Sequence, residues 1–156
     1  MIKNFEIHKH ISRLESLYKR FEEEQVTNPE IGAQLARYFA ILVSGLVEQS
    51  FRTLLYEFSK SQNPRIVRFV NLRIKRIMNT GTERLASILS AFDTDWGVKL
   101  KHFLDANGRG EAVDSIINVR NSVSHGQDLG ITLRRAKDYM SKCIEVLEFI
   151  EKLLMP

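Results

Sequence analysis

The stretch VRNSVSHGQDLG, Val119 to Gly130, sets a cation, a carboxamide and an imidazole close together where a helix should stop. In a helix, Asn121 and His125 share a face, as do Arg120 and Ser124, because residues four apart are neighbours on its surface. Arg120 lies beside Asn121, and Gly126 lets the backbone turn away directly after His125. These groups suit cleavage of RNA, which carries its own nucleophile, the 2′-hydroxyl. Such cleavage needs a base for the hydroxyl proton, an acid for the departing 5′-oxygen, and positive charge on the phosphorane. Histidine serves as base or acid near neutral pH. Arginine stays charged and offers a planar fork to phosphate oxygens. Asparagine can orient the imidazole or bond the phosphate. The scheme requires neither metal nor cofactor. The plainer reading is helix termination: a histidine in the last turn favours the dipole, and a glycine follows as C-cap.

The elements that would hold this stretch are helical throughout. Ile7, Ile11, Leu14, Leu17, Tyr18 and Phe21 recur at spacings of three and four, predicting a first amphipathic helix over about Ile2 to Glu24. Asn28 and Pro29 read as N-cap and first position of a second, largely apolar helix running to Ser59, central to a bundle. Asn63 and Pro64 repeat that signal for a third helix to about Met78. Its core side is predicted to hold Ile66, Val67, Val70, Ile74, Ile77 and Met78. Arg65, Arg68, Arg73, Lys75 and Arg76 fall opposite, with Phe69 and Leu72 among them. Gly81 reads as a C′ glycine and Thr82 as the cap of a short helix to Phe92. Asp93 or Thr94 should cap another helix to about Leu104. After the DANGRG loop, the motif segment (about Glu111 to Ser124) has core candidates at Val113, Ile116, Ile117 and Val123. A short loop then leads to a long terminal helix with a seam at Leu133, Ala136, Met140, Cys143, Leu147, Ile150 and Leu154. That seam is bundle core or, alternatively, a coiled coil with another chain. The expected fold is therefore all-α: a helical bundle with a long second helix, several short helices and a long C-terminal helix, in a single domain over residues 1–156.

Several further residues carry a second reading. Glu48, with Gln49, is polar within an apolar helix; it orients Arg120 or His125 from the facing helix, or it pairs with some other basic residue or is simply exposed. Ser124 is a supporting candidate by its place on the Arg120 face. Arg65, Arg68, Arg73 and Arg76 form a basic face that could track an RNA backbone, with Phe69 available for stacking. Otherwise the face is merely solvated and Phe69 is tucked under a neighbouring helix. His8 and His10 point to different sides of their helix and lack completing ligands, so they read as surface, as does His102. Cys143 reads as a buried small hydrophobe. There is no phosphate-binding glycine loop and no serine nucleophile elbow.

Composition narrows the classes. The 156 residues are 44% hydrophobic and 27% charged, an ordinary globular balance. Only 8 glycines and 3 prolines punctuate them, consistent with long helices and short connections. A single cysteine forbids an internal disulfide and fits a reducing compartment. The N-terminus lacks an apolar signal core, and no long uncharged apolar run suggests a membrane span. The expected location is the cytoplasm. The formal charge of +4 permits nucleic-acid binding without requiring it.

The RNSVSHG stretch followed by a long terminal helix resembles the R-N-x3-H signature of HEPN domains. ILVSGLVEQSFRTLLYEF and NPRIVRF through TERLASILSAFDTDWGVKLKHFL extend the likeness over roughly residues 30 to 154. It is closest to the branch grouped under the RiboL-PSP-HEPN name. The resemblance implies an all-α ribonuclease acting as a homodimer, in which the motifs of two subunits meet at a shared cleft and cut RNA without metal. Carried onto this chain, Arg120 would bind the scissile phosphate, His125 would transfer a proton or hold the phosphate, and Asn121 would fix the geometry. Many such proteins are toxins or anti-phage defence effectors with an antitoxin or larger partner. Others have lost the motif and serve as non-catalytic modules that dimerise or bind partners, which is the alternative here. With Arg, Asn and His all kept, the active class is expected.

Overall fold

The architecture follows from where the chain can bury its apolar stripes. A computed structural model describes residues 1–126 and 130–156. Seven α-helices occur among them, and no strand: α1 (Phe5–Thr27), α2 (Gly32–Ser59), α3 (Pro64–Ile74), α4 (Thr82–Phe92), α5 (Thr94–Asp105), α6 (Arg109–Ser124) and α7 (Leu133–Leu154). The expected all-α bundle with long second and last helices is what forms. A short 3-10 turn, Pro29–Ile31, leads into α2.

Helix α2 is apolar on most sides because it has neighbours on most sides. It packs against α1, α3, α6 and α7, burying Phe39, Val43, Leu46, Phe51 and Leu54 completely. Pro29–Ser59 is also the stretch among the described residues that is long and apolar enough to cross a membrane by length and composition. It contains charged residues, so it is not the uncharged run by which a span is recognised in the sequence. Here 39% of its most apolar 18-residue stretch is buried, including Phe39, Val43 and Leu46.

The seam of α7 is buried along its whole length, from Leu133 to Leu154, against α2 and α6. Of the two readings left open, bundle core is therefore the one the fold realises. At its far end the buried carboxylate of Glu151 accepts from the backbone N–H groups of Lys3 (2.8 Å) and Asn4 (2.9 Å). Asn4 in turn caps α1 by accepting from Glu6 and Ile7 N–H, so one carboxylate docks the start of the chain onto its end. Helices α4 and α5 form a tight hairpin. Gly97 is required there, since a Cβ would clash with Ser90 Oγ and lie 2.9 Å from both the Ala86 carbonyl oxygen and Ser90 Cβ. Asp93, as expected, caps α5 by accepting from Asp95 N–H.

Several local expectations fail. Asn28 does not cap α2; its side chain donates to Glu24 Oε1 (2.6 Å) and closes α1 instead. Gly81 is not a left-handed C′ glycine, for its φ is −65°; Asn79 adopts the positive φ of 53° instead. Thr82 does not cap α4 but opens it, with its N–H and hydroxyl both donating to Asp114 of α6 (2.8 Å each). Finally, α3 stops at Ile74 rather than near Met78, leaving residues 75–81 as a strap between α3 and α4. Of its predicted core side, Val70, Ile74 and Ile77 are buried and Val67 is half-buried, but Ile66 and Met78 are exposed. On α6, Val119 takes the core place expected of Val123, which faces out.

Candidate functional site

The site is built at the C-terminal end of α6. Val113, Ile116, Ile117 and Val119 bury the inner face of that helix. The opposite register then carries Arg120 and Asn121, half-buried, and Ser124 and His125, exposed. His125 is the C-cap, its backbone N–H donating to the carbonyls of Asn121 (3.2 Å) and Ser122 (3.1 Å). Gly126 has φ +69°, the left-handed turn a glycine tolerates without cost. The imidazole is thus carried on the helix end and is exposed to solvent. The short connection expected after it contains residues 127–129, which lie outside the described residues.

Arg120 is held from two sides. Its Nη1 donates to Glu48 Oε2 of α2 (3.2 Å) and to Asn79 Oδ1 of the strap (3.2 Å). Glu48 is the hub. Its other oxygen accepts from Arg52 Nη2 (2.8 Å), and Oε2 also accepts from the Asn79 N–H (3.2 Å). The Glu48 side chain is 14% exposed, so this carboxylate is largely withdrawn from water and needs its partners. Arg52 also donates through Nε to the Ile77 carbonyl (2.9 Å), which its Nη2 contacts as well. This network fits the early end of α3: after it the N–H groups of Arg76 and Ile77 donate three residues back, and the Ile77 carbonyl and Asn79 N–H find tertiary partners in Arg52 and Glu48, so neither is left unpaired.

Two guanidiniums around one carboxylate leave a net positive charge. The bonds to Arg120 engage Nη1, so the rest of its fork has no partner among the described residues and can face a ligand. An anion such as a phosphodiester would find a cation, an amide and an exposed imidazole on one helix end. Of the readings left open for Glu48, two occur together: it contacts Arg120 and it also pairs with another basic residue, Arg52. Asn121 and His125 share the end of α6, but no side-chain hydrogen bond joins them among the described residues. Ser124 is spent locally, its hydroxyl donating to the Arg120 carbonyl (3.0 Å).

Sequence reasoning missed Arg52 and Asn79. The signal for Arg52 was its place one turn after Glu48 in an apolar helix. For Asn79 it was the NTG triplet, read as a generic break although Asn also tolerates the left-handed region.

The basic residues of α3 do not make one face. Arg73 and Arg76 line a groove towards α4, whereas Arg68 lies with Lys60 and Lys75 along another, and Arg65 is exposed beyond both. Phe69 is 59% exposed, so it is not tucked away. Among the histidines expected at the surface, His8 and His102 are exposed. His10 is half-buried, with its pKa lowered by burial and by the nearby Arg13. Among the described residues no group of three or more His, Cys, Asp or Glu side chains is placed to hold a metal ion.

The model of the RiboL-PSP-HEPN family matches residues 5–156. The chain belongs to the RiboL-PSP-HEPN family. The match takes in α1, which the resemblance read from the sequence had left out. No curated protein and no solved structure matches the chain significantly. HEPN membership points to a nuclease or RNA-related role.

Proposed function

We propose that this HEPN domain is a metal-independent endoribonuclease. The observation that carries the reading is an exposed imidazole on the last turn of α6, beside an arginine whose orientation Glu48 and Asn79 fix. In this reading the RNA 2′-oxygen attacks the adjacent phosphorus while a base takes its proton. The P–O5′ bond breaks, and an acid protonates the departing 5′-oxygen. The products are a 2′,3′-cyclic phosphate and a 5′-hydroxyl. Arg120 balances the added negative charge on the phosphorane, Asn121 positions the phosphate or the imidazole, and His125 moves a proton. Glu48 and Asn79 act as positioning residues for Arg120.

One imidazole does not easily serve as base and acid in one step. A homodimer supplies two around a single phosphate, and a two-fold axis would place them symmetrically. The biological setting suggested by the family is a cytoplasmic toxin or anti-phage effector, restrained by an antitoxin or held by a larger defence protein.

Cleavage in EDTA tests this. Wild-type protein should cut RNA but not DNA and leave cyclic phosphate ends. His125→Ala and Arg120→Ala should be inert with unchanged helical content. A second reading rests on the same ion pair: Arg120 pins the strap to α2 and α6, and the domain is a non-catalytic dimerisation or partner-binding module. Arg120→Ala would then lower the melting temperature, and no cleavage would be seen in any variant.

A further inference from the structure

Between α3 and α4 lies a groove of about 450 Å³, within the range of sites that take small ligands. Its walls carry Phe69, Ile88 and Phe92, and its rim carries Arg73, Arg76 and Arg84. Among the described residues no carboxylate lines it. Phe92 is braced edge-on by Phe58 at 5.8 Å, whereas Phe69 projects into solvent with the Arg73 guanidinium 5.3 Å from its ring centre. We propose that this groove is a subsite for an unpaired base of single-stranded RNA, stacked on Phe69 while Arg73, Arg76 and Arg84 hold the flanking phosphates.

The inference rests on the nuclease reading for its choice of polyanion, and three observations favour this occupant. Exposed aromatic rings give a stacking surface that any base can use, and cations beside them serve the backbone. An acidic polypeptide would satisfy the arginines but would leave the rings without a flat partner. The groove also adjoins the trio. Ile77 lines it, and Asn79, two residues on, bonds to Arg120, so their Cα atoms are at most about 7 Å apart. A strand crossing the strap would therefore reach the groove with a nucleotide near the one being cut. Duplex RNA cannot splay a base into the groove without unpairing it.

Binding of 2′-O-methyl oligonucleotides, which lack the attacking hydroxyl, tests the groove separately from cleavage. Phe69→Ala should weaken single-stranded binding about tenfold and leave duplex binding unchanged. Its urea midpoint should match wild type, because the ring is mostly exposed. An abasic nucleotide scanned along the strand should weaken wild-type binding at one position, and Phe69→Ala should be insensitive there. Arg84→Gln should lower the slope of log affinity against log salt by about 0.7. Unchanged single-strand affinity in Phe69→Ala, or an equal loss with duplex, overturns the proposal. So does poly-glutamate binding that depends on Phe69 when RNA binding does not; the groove then takes an acidic protein. A groove that binds in a protein that never cuts RNA overturns only the nuclease reading. Cleavage that persists with Phe69-independent binding overturns only the groove.

Discussion

Helices α7 and α3 are both amphipathic, yet their apolar residues meet opposite fates. In α7 every seam residue from Leu133 to Leu154 is buried against α2 and α6. In α3 only Val70 and Ile74 are buried, while Ile66, Phe69 and Leu72 stay exposed among arginines. The difference lies in the neighbours. Helix α7 lies along α2, the central helix, and every turn finds a partner. Helix α3 is short, touches α2 at one end of the bundle, and is succeeded by a strap held mainly through polar bonds. One helix is spent on stability. The other keeps apolar and cationic groups available at the surface, beside the candidate site.

The contrast can be broken or sharpened by experiment. On the packed side, burial pushes the Cys143 thiol up to about 12, because the charged thiolate is disfavoured there. At pH 8.5 the folded protein should be alkylated at least roughly a thousandfold more slowly than the urea-unfolded chain, whose thiol has an ordinary pKa of about 8.5. Comparable rates would mean that the seam opens readily. On the working side, His125→Ala should lower RNA cleavage at least about a hundredfold without moving the thermal midpoint. Leu147→Ala should do the converse, costing about 2–5 kcal/mol in urea unfolding while retaining cleavage at a temperature where it is folded.

Smaller effects probe the strap. Asp114→Ala removes both acceptors at the start of α4 and should cost about 1–2 kcal/mol. Asn79→Gly keeps the left-handed backbone but deletes the amide bonded to Arg120. It should lower cleavage severalfold with little change in stability, and an unchanged rate would remove Asn79 from the site. Leu72→Ser, at an exposed position, should stay within about 0.5 kcal/mol of wild type.

Much of this was legible in the chain. The α7 seam, the Asn63–Pro64 start of α3 and the Asp93 cap of α5 follow from local rules of period and capping. The trio was visible as residue types at helical spacing, and Glu48 as a charge out of place in an apolar helix. The failures cluster at residues 75–82, where periodicity continued but helix did not. There Arg52, Glu48 and Asp114, remote in sequence, take over backbone groups of the strap and of the first residue of α4.

The sequence by itself determined that the chain is helical, where most helices begin, and which side chains stand together on the last turn of α6, because those properties depend on neighbours within a turn or two. Only the tertiary structure decided that α3 ends at Ile74, that Asn79 rather than Gly81 turns left-handed, and that Arg120 is gripped by Glu48 and Asn79. Those outcomes are set by hydrogen bonds and an ion pair between segments far apart in the chain, and no local pattern records which distant carboxylate will arrive to make them.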